Sequence, residues 1–199
     1  MRAQVLRKER WMTLPVVLLV TLLMAGCATS VAPRYYRLAP LADPAVVEPA
    51  TVRAVIVGPF QLAEYLARPQ LVSRDGMNGL DMSDFERWAE PLDANFQAVV
   101  AANVGRLIGS DQVLEYPAQS ILKPERRVTG RILQFDVDAA GVAVLVVQWG
   151  IMDGVGLSST PGRVSRYEAR ASGTSTAARV AALNDTVTAF SADVAAACR

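Results

Sequence analysis

The sequence predicts a single α/β (or α+β) domain, a mixed β-sheet packed by two main amphipathic helices. Three observations carry that prediction. Two stretches repeat apolar residues at spacings of three and four, the signature of a helix with one buried face. Several others are rich in β-branched residues and end at Gly, Pro or Asp-Gly turns, as strands do. The chain has 199 residues, 52% of them hydrophobic, which suits one core better than two.

Residues 28–50 hold Pro33, Pro40, Pro44 and Pro49 among small residues and read as an extended tether. Within it Tyr35-Tyr36-Arg37-Leu38 fits a first short strand. Residues 51–57 are β-branched and apolar without helical period, bounded by Gly58-Pro59, and predict a buried strand. Leu71-Val72-Ser73-Arg74 predicts another, turning at Asp75-Gly76 into a short partner at 79–82.

Pro91 stands at a first-turn position, and Leu92, Phe96, Val99, Val100, Val104, Leu107 and Ile108 then form one apolar face ending near Gly109. A strand at 112–115 follows. Residues 127–137 and 142–152 read as a hairpin turning at Ala139-Ala140-Gly141. Its second strand is apolar on both faces in the middle, which predicts cover on both sides. A Gly/Ser/Pro-rich loop reaches Gly162, and residues 163–172 alternate like an edge strand protected by charge. The last element is a helix over 176–197, where Val180, Leu183, Val187, Phe190 and Val194 share one face.

The N-terminus adds a different signal. Arg2, Arg7, Lys8 and Arg10 precede an apolar run from 11 to 25, too short for the roughly 20 residues of a stable membrane span. The run ends in Leu23-Met24-Ala25-Gly26-Cys27, which resembles a bacterial lipobox. Small residues before the thiol let the peptidase close on the backbone, so cleavage is expected between Gly26 and Cys27. Cys27 would then carry S-diacylglycerol and an N-palmitoyl chain. The alternative is an ordinary signal peptide that happens to precede a buried cysteine. Residue 28 is Ala and not the retaining Asp, which points to the periplasmic face of the outer membrane. The expected organisation is a signal peptide at 1–26, a lipidated N-terminus and tether at 27–50, and a domain at 51–199 whose start could lie near 34.

Removing the 26 residues before Cys27 from the 199 leaves 173, with 16 basic residues against 18 acidic ones. That balance lacks the basic footprint of nucleic-acid binding. Cys198 is the other of the two cysteines, so no internal disulfide is expected. It either packs as a small hydrophobe or pairs between chains.

The chain has no histidine, which removes the commonest general base and metal ligand and excludes Ser-His-Asp triads. No P-loop motif occurs. Ser158-Ser159 lacks the glycines of a nucleophile elbow. The remaining catalytic candidates are carboxylates: Asp136 with Asp138 on one strand face, and Asp84, Glu86 and Glu90 before the first helix. Paired acids can hydrolyse glycosides, but solvent-facing acids at a turn and a solvated acidic stretch are the plainer expectation. No enzyme, cofactor or metal site is expected.

Several motifs in order resemble the PqiC-like (YmbA-type) family of ABC-type transport auxiliary lipoproteins. They are Tyr36-Arg37-Leu38, Val55-Ile56-Val57-Gly58-Pro59, Glu64-Tyr65-Leu66-Ala67-Arg68-Pro69-Gln70-Leu71-Val72, Asn78-Gly79-Leu80, Arg87-Trp88-Ala89-Glu90-Pro91-Leu92 and Val144-Leu145-Val146-Val147-Gln148-Trp149. The loop at 153–162 and Cys198 fall outside the resemblance. It implies a mixed-sheet domain that assembles as a homo-oligomeric ring on an MCE-type partner, which is served by an inner-membrane permease system and itself carries lipids between membranes. It brings no catalytic residues. Read from the residues alone, Arg68 marks either an exposed turn or a subunit contact, and Trp88 either a core aromatic or a contact. The competing readings are a stand-alone lipid- or hydrophobe-binding lipoprotein, which requires a sizeable apolar pocket, and a carboxylate-dependent cell-wall hydrolase acting through Asp136.

Overall fold

The computed structural model describes residues 31–42, 51–52, 54–118, 123–153 and 162–199. The packed unit begins at Pro33. Its strands are β1 (Arg34–Tyr36), β2 (Val55–Leu62), β3 (Gln70–Asp75), β4 (Gly79–Trp88), β5 (Val113–Glu115), β6 (Arg126–Asp138), β7 (Val142–Asp153) and β8 (Arg163–Arg170). Two helices, α1 (Leu92–Ile108) and α2 (Thr176–Ala197), complete the mixed α/β domain.

β6 organises the sheet. Along one edge it pairs antiparallel with β7, which in turn pairs antiparallel with β8. Its other edge carries two strands end to end. β2 runs parallel to it from Arg126 to Ile132, and β3 parallel to its last residues, Val137 and Asp138. β5 adds to β2, while β4 and then β1 add to β3. The sheet therefore forks, and residues 63–69 fill the break. A 3-10 turn at Glu64–Leu66 sits there. Pro69, which has no N–H to give a ladder, offers its carbonyl to the Trp88 amide at 2.7 Å.

Three local features depart from the sequence-based expectation. β4 runs ten residues to Trp88 where the sequence predicts a short strand at 79–82, so Asp84 and Glu86 lie in a strand. β2 does not stop at Gly58-Pro59 but continues to Leu62 after a register shift. Gly58 has φ +112°, and a Cβ there would lie 1.9 Å from Gln97 Oε1, so only glycine fits. β6 carries a bulge between Ile132 and Gln134. The extra residue lets Ile132 and Phe135, three apart, both turn to the core, while Leu133 is left at the surface.

Both helices lie on one face of the sheet and share one continuous apolar core with it. Phe190 is its centre, packing against Phe60, Phe96, Trp149 and Tyr167 at ring-centroid distances of 5.3–5.9 Å. Leu92, Phe96, Val100, Val104 and Ile108 of α1 meet Val180, Leu183, Val187 and Val194 of α2 there. Gly109 closes α1 in the left-handed conformation at φ 65°. The Ser175 hydroxyl accepts the Ala178 amide and caps α2.

The expectation that β7 is covered on both sides is corrected. Ala143, Leu145, Val147 and Trp149 face the helices, but on the opposite side only Val144 is buried, while Val142 and Val146 are half-buried and Gln148 is exposed. Among the described residues no helix lies on that second face, and Val144 is covered there beside its β6 partner Asp136.

Residues 34–41, inside the stretch that reads as a tether, are pinned to the domain. Asn95 of α1 accepts the Leu38 amide at 2.7 Å and donates to its carbonyl at 3.4 Å. Asn184 of α2 accepts from Ala39, and Asn103 of α1 accepts from Leu41. The strap has no ladder partner at these positions, so the three asparagine amides supply what a neighbouring strand would.

Candidate functional site

The break between β2 and β3 opens a cleft of about 960 Å³. Its first wall is β2 and the chain after it, from Pro59 to Pro69, with Arg131 of β6 beside it. The turn is held in place by backbone bonds: Ala63 donates to Ile132, Leu66 to Ala63, Ala67 to Glu64 and Arg68 to Leu66, all between 2.8 and 3.1 Å. The second wall is the end of β4 and the start of α1, from Trp88 to Asp93. The Ala89 amide donates to Tyr36 of β1 at 2.8 Å, which fixes that wall to the strap.

Arg68 and Trp88, twenty residues apart in sequence, meet on this cleft. Trp88 is 7% exposed and stacks on Phe135 at 6.2 Å between centroids, so it is a core aromatic with an edge on the cleft. Arg68 is half-buried. Its Nη1 donates to the Met82 thioether at 2.8 Å, and its Nε is buried with no partner. Sulfur is a weak acceptor, so this guanidinium is poorly satisfied. Phe60, Leu62, Leu66 and Leu92 complete an apolar lining, and Glu64, Glu90, Asp93 and Arg131 add charge. Sequence reasoning singled out Arg68, Trp88 and, as a carboxylate candidate, Glu90, but not Arg131, whose place on the cleft depends on β6 running beside β2.

The carboxylates are dispersed. Asp136 does not face solvent as expected: it is 1% exposed. It accepts from Arg74 Nη2 at 2.9 Å and Nε at 3.3 Å, from Tyr65 Oη at 2.9 Å and from Gln134 Nε2 at 2.8 Å. Burial, reinforced by Asp136, pushes the Tyr65 phenol up to about 12. The hydrogen bond to Asp136 raises the Arg74 pKa further above its ordinary value. Both carboxylate oxygens are engaged by donors, so Asp136 is a structural counter-ion on the open face of the sheet. Asp138 accepts the Val142 amide at 2.8 Å and shapes the β6–β7 turn. Of the second acidic group, Glu86 accepts from Thr176 and Glu90 pairs with Arg37 at 3.7 Å. These acids do not converge on one site.

Cys198 is buried in the core, and burial pushes its thiol up to about 11 against a smaller opposing effect of Arg126. Packing as a small hydrophobe, not pairing between chains, is what this position supports. Gly26, Cys27 and Ser158-Ser159 lie outside the described residues. Among the described residues no helix is long and apolar enough to cross a membrane, and no group of three metal-ligating side chains gathers.

Residues 36–195 match the family described as ABC-type transport auxiliary lipoprotein component. The chain belongs to that family. The match runs from β1 almost to the end of α2 and so takes in both walls of the cleft. This auxiliary lipoprotein also shares its fold with solved structures. A crystal structure of an uncharacterized protein superposes with TM-score 0.70 at 20% identity, covering 84% of this chain and 99% of that one. A protein from Xanthomonas campestris of family DUF330 gives TM-score 0.66 at 16% identity, covering 81% and 92%. No curated protein matches the sequence.

Proposed function

We propose that this auxiliary lipoprotein is the non-catalytic outer-membrane subunit of an MCE-type lipid-transport system, acting on the periplasmic face and supporting lipid traffic between the two membranes. The observation that carries the reading is the family match over residues 36–195, an auxiliary component of ABC-type transport. The chain's lack of a P-loop fits a subunit whose energy comes from a separate ATPase.

On this reading Cys27 is the anchor, cut from Gly26 and carrying diacylglycerol and palmitate. Several acyl chains, each methylene worth about 0.8 kcal/mol, make release slow. Arg34 is seven residue steps from Cys27, a span of at most about 25 Å when fully extended, so the packed unit works close to its membrane. The open face of the sheet, which carries no helix among the described residues, supports assembly into a homo-oligomeric ring on the MCE partner.

Purification from detergent-solubilised membranes tests this. Co-purification of an MCE-domain protein with an oligomer of this chain is expected; a monomer without such a partner would overturn it. Labelled palmitate should enter the wild-type chain and not Cys27→Ser. A second reading, a lipoprotein that binds a hydrophobe on its own, is favoured by the cleft and predicts binding without any partner.

A further inference from the structure

The cleft between β2 and β3 is large for a surface feature of a structural subunit. Its volume of about 960 Å³ lies at the upper end of small-molecule sites. Its lining divides by chemistry. The half-buried Leu62 and the edges of the core side chains Phe60, Leu66, Trp88 and Leu92 give a narrow apolar floor. Around it stand two cations, Arg68 and Arg131, and three carboxylates, Glu64, Glu90 and Asp93.

Neither a purely anionic nor a purely cationic ligand suits that rim, because each would face like charge from half of it. A group with both signs a few bonds apart satisfies both sets. Arg68 adds a specific demand, since its buried Nε has no acceptor and its Nη1 has only a thioether. A phosphate oxygen is the acceptor that a guanidinium fork takes best. Of the acids, Glu90 is engaged only loosely, by Arg37 at 3.7 Å in an exposed pair.

We propose that this cleft binds a zwitterionic phospholipid, the phosphate on Arg68 and Arg131, the ammonium among Glu64, Glu90 and Asp93, and the first part of an acyl chain on the apolar lining. The inference rests on the lipid-transport reading for its biological setting and names the lipid class for it. The cleft holds one end of the molecule and leaves the remaining chains to a partner or membrane.

Native mass spectrometry of the full chain in detergent tests it, with dihexanoyl phosphatidylethanolamine, dihexanoyl phosphatidylglycerol and dihexanoylglycerol supplied at equal concentration. The ethanolamine lipid should be retained roughly tenfold better than either of the others, the scale of one charge-assisted contact. Arg68→Ala should lose that preference, and Arg68→Lys should restore it in part. Glu90→Lys, at an exposed position, should shift the preference toward the glycerol headgroup. Equal retention of all three by the unmutated chain would overturn the proposal, as would an unchanged preference in a folded Arg68→Ala protein. Displacement of the lipid by a co-purified protein segment seated in the cleft would also overturn it. Loss of headgroup preference alongside a retained MCE partner removes only this inference. Preference without that partner removes only the transport reading.

Discussion

The helix-covered face of the sheet and its open face come from the same strands, alternate residues going to each. On the covered face the contacts are apolar and redundant. Phe190 alone touches four other rings, and Val128, Ile132, Leu145 and Val147 sit fully buried beneath the helices. On the open face one buried carboxylate, Asp136, holds Arg74, Tyr65 and Gln134, and thus ties β3, the 63–69 turn and β6 together. With no helix above it among the described residues, that face gains order from hydrogen bonds to charge, whose net worth is smaller because the charged groups must first be desolvated.

The contrast can be broken from the covered side first. Phe190→Ala should cost about 3–5 kcal/mol through lost burial and a cavity, read as a fall in the denaturant midpoint; a loss under about 1 kcal/mol would mean the ring cluster collapses to refill the space. Asp136→Asn comes next, at about 2–3 kcal/mol, because Arg74 is partly open to water and can rehydrate. Replacing Arg74 and Asp136 together with Met and Leu should recover part of that, and a double-mutant cycle measures how much.

Alkaline titration sharpens the same comparison. Burial and a nearby carboxylate push both Tyr65 and Tyr167 to about 12 from 10.0. A phenol whose folded pKa is raised contributes stability that is complete below pH 10 and is lost as pH climbs from 10 to 12. Absorbance at the tyrosinate band should therefore show Tyr65 and Tyr167 ionising late, together with loss of the fold. Ionisation of these two near pH 10 in a folded chain would contradict this.

Asn95→Ala leaves the buried Leu38 amide without an acceptor and should cost about 1–3 kcal/mol. Faster proteolysis near residue 38 would report release of the strap. The smallest effect belongs to the open face at the sheet margin, where Val164 is 61% exposed. Val164→Thr should change stability by less than about 0.5 kcal/mol, yet weaken oligomer formation if the ring forms through that face.

What the sequence determined by itself is the inventory of elements. The 17-residue α1 and the 22-residue α2 repeat their apolar residues at helical spacing, and the β6–β7 hairpin is announced by its turn. These signals are local, set by the period of the backbone and by residues that stop it. The lipobox-like pattern Leu23-Met24-Ala25-Gly26-Cys27 is local too, legible as a linear segment.

The tertiary structure alone decided what lies beside what. Asp136 looks like a solvent-facing acid in the sequence because its donors are 62 and 71 residues away. The bulge at Leu133 turns Phe135 inward and breaks the alternation a strand would display. The strap between residues 37 and 41 has a tether's composition, and the fully buried Leu38 together with three asparagines on the helices makes it part of the domain. The cleft exists because two strands share one edge of β6 and leave a gap. Pairing between distant strands is chosen by the whole sheet's register, which no single segment encodes.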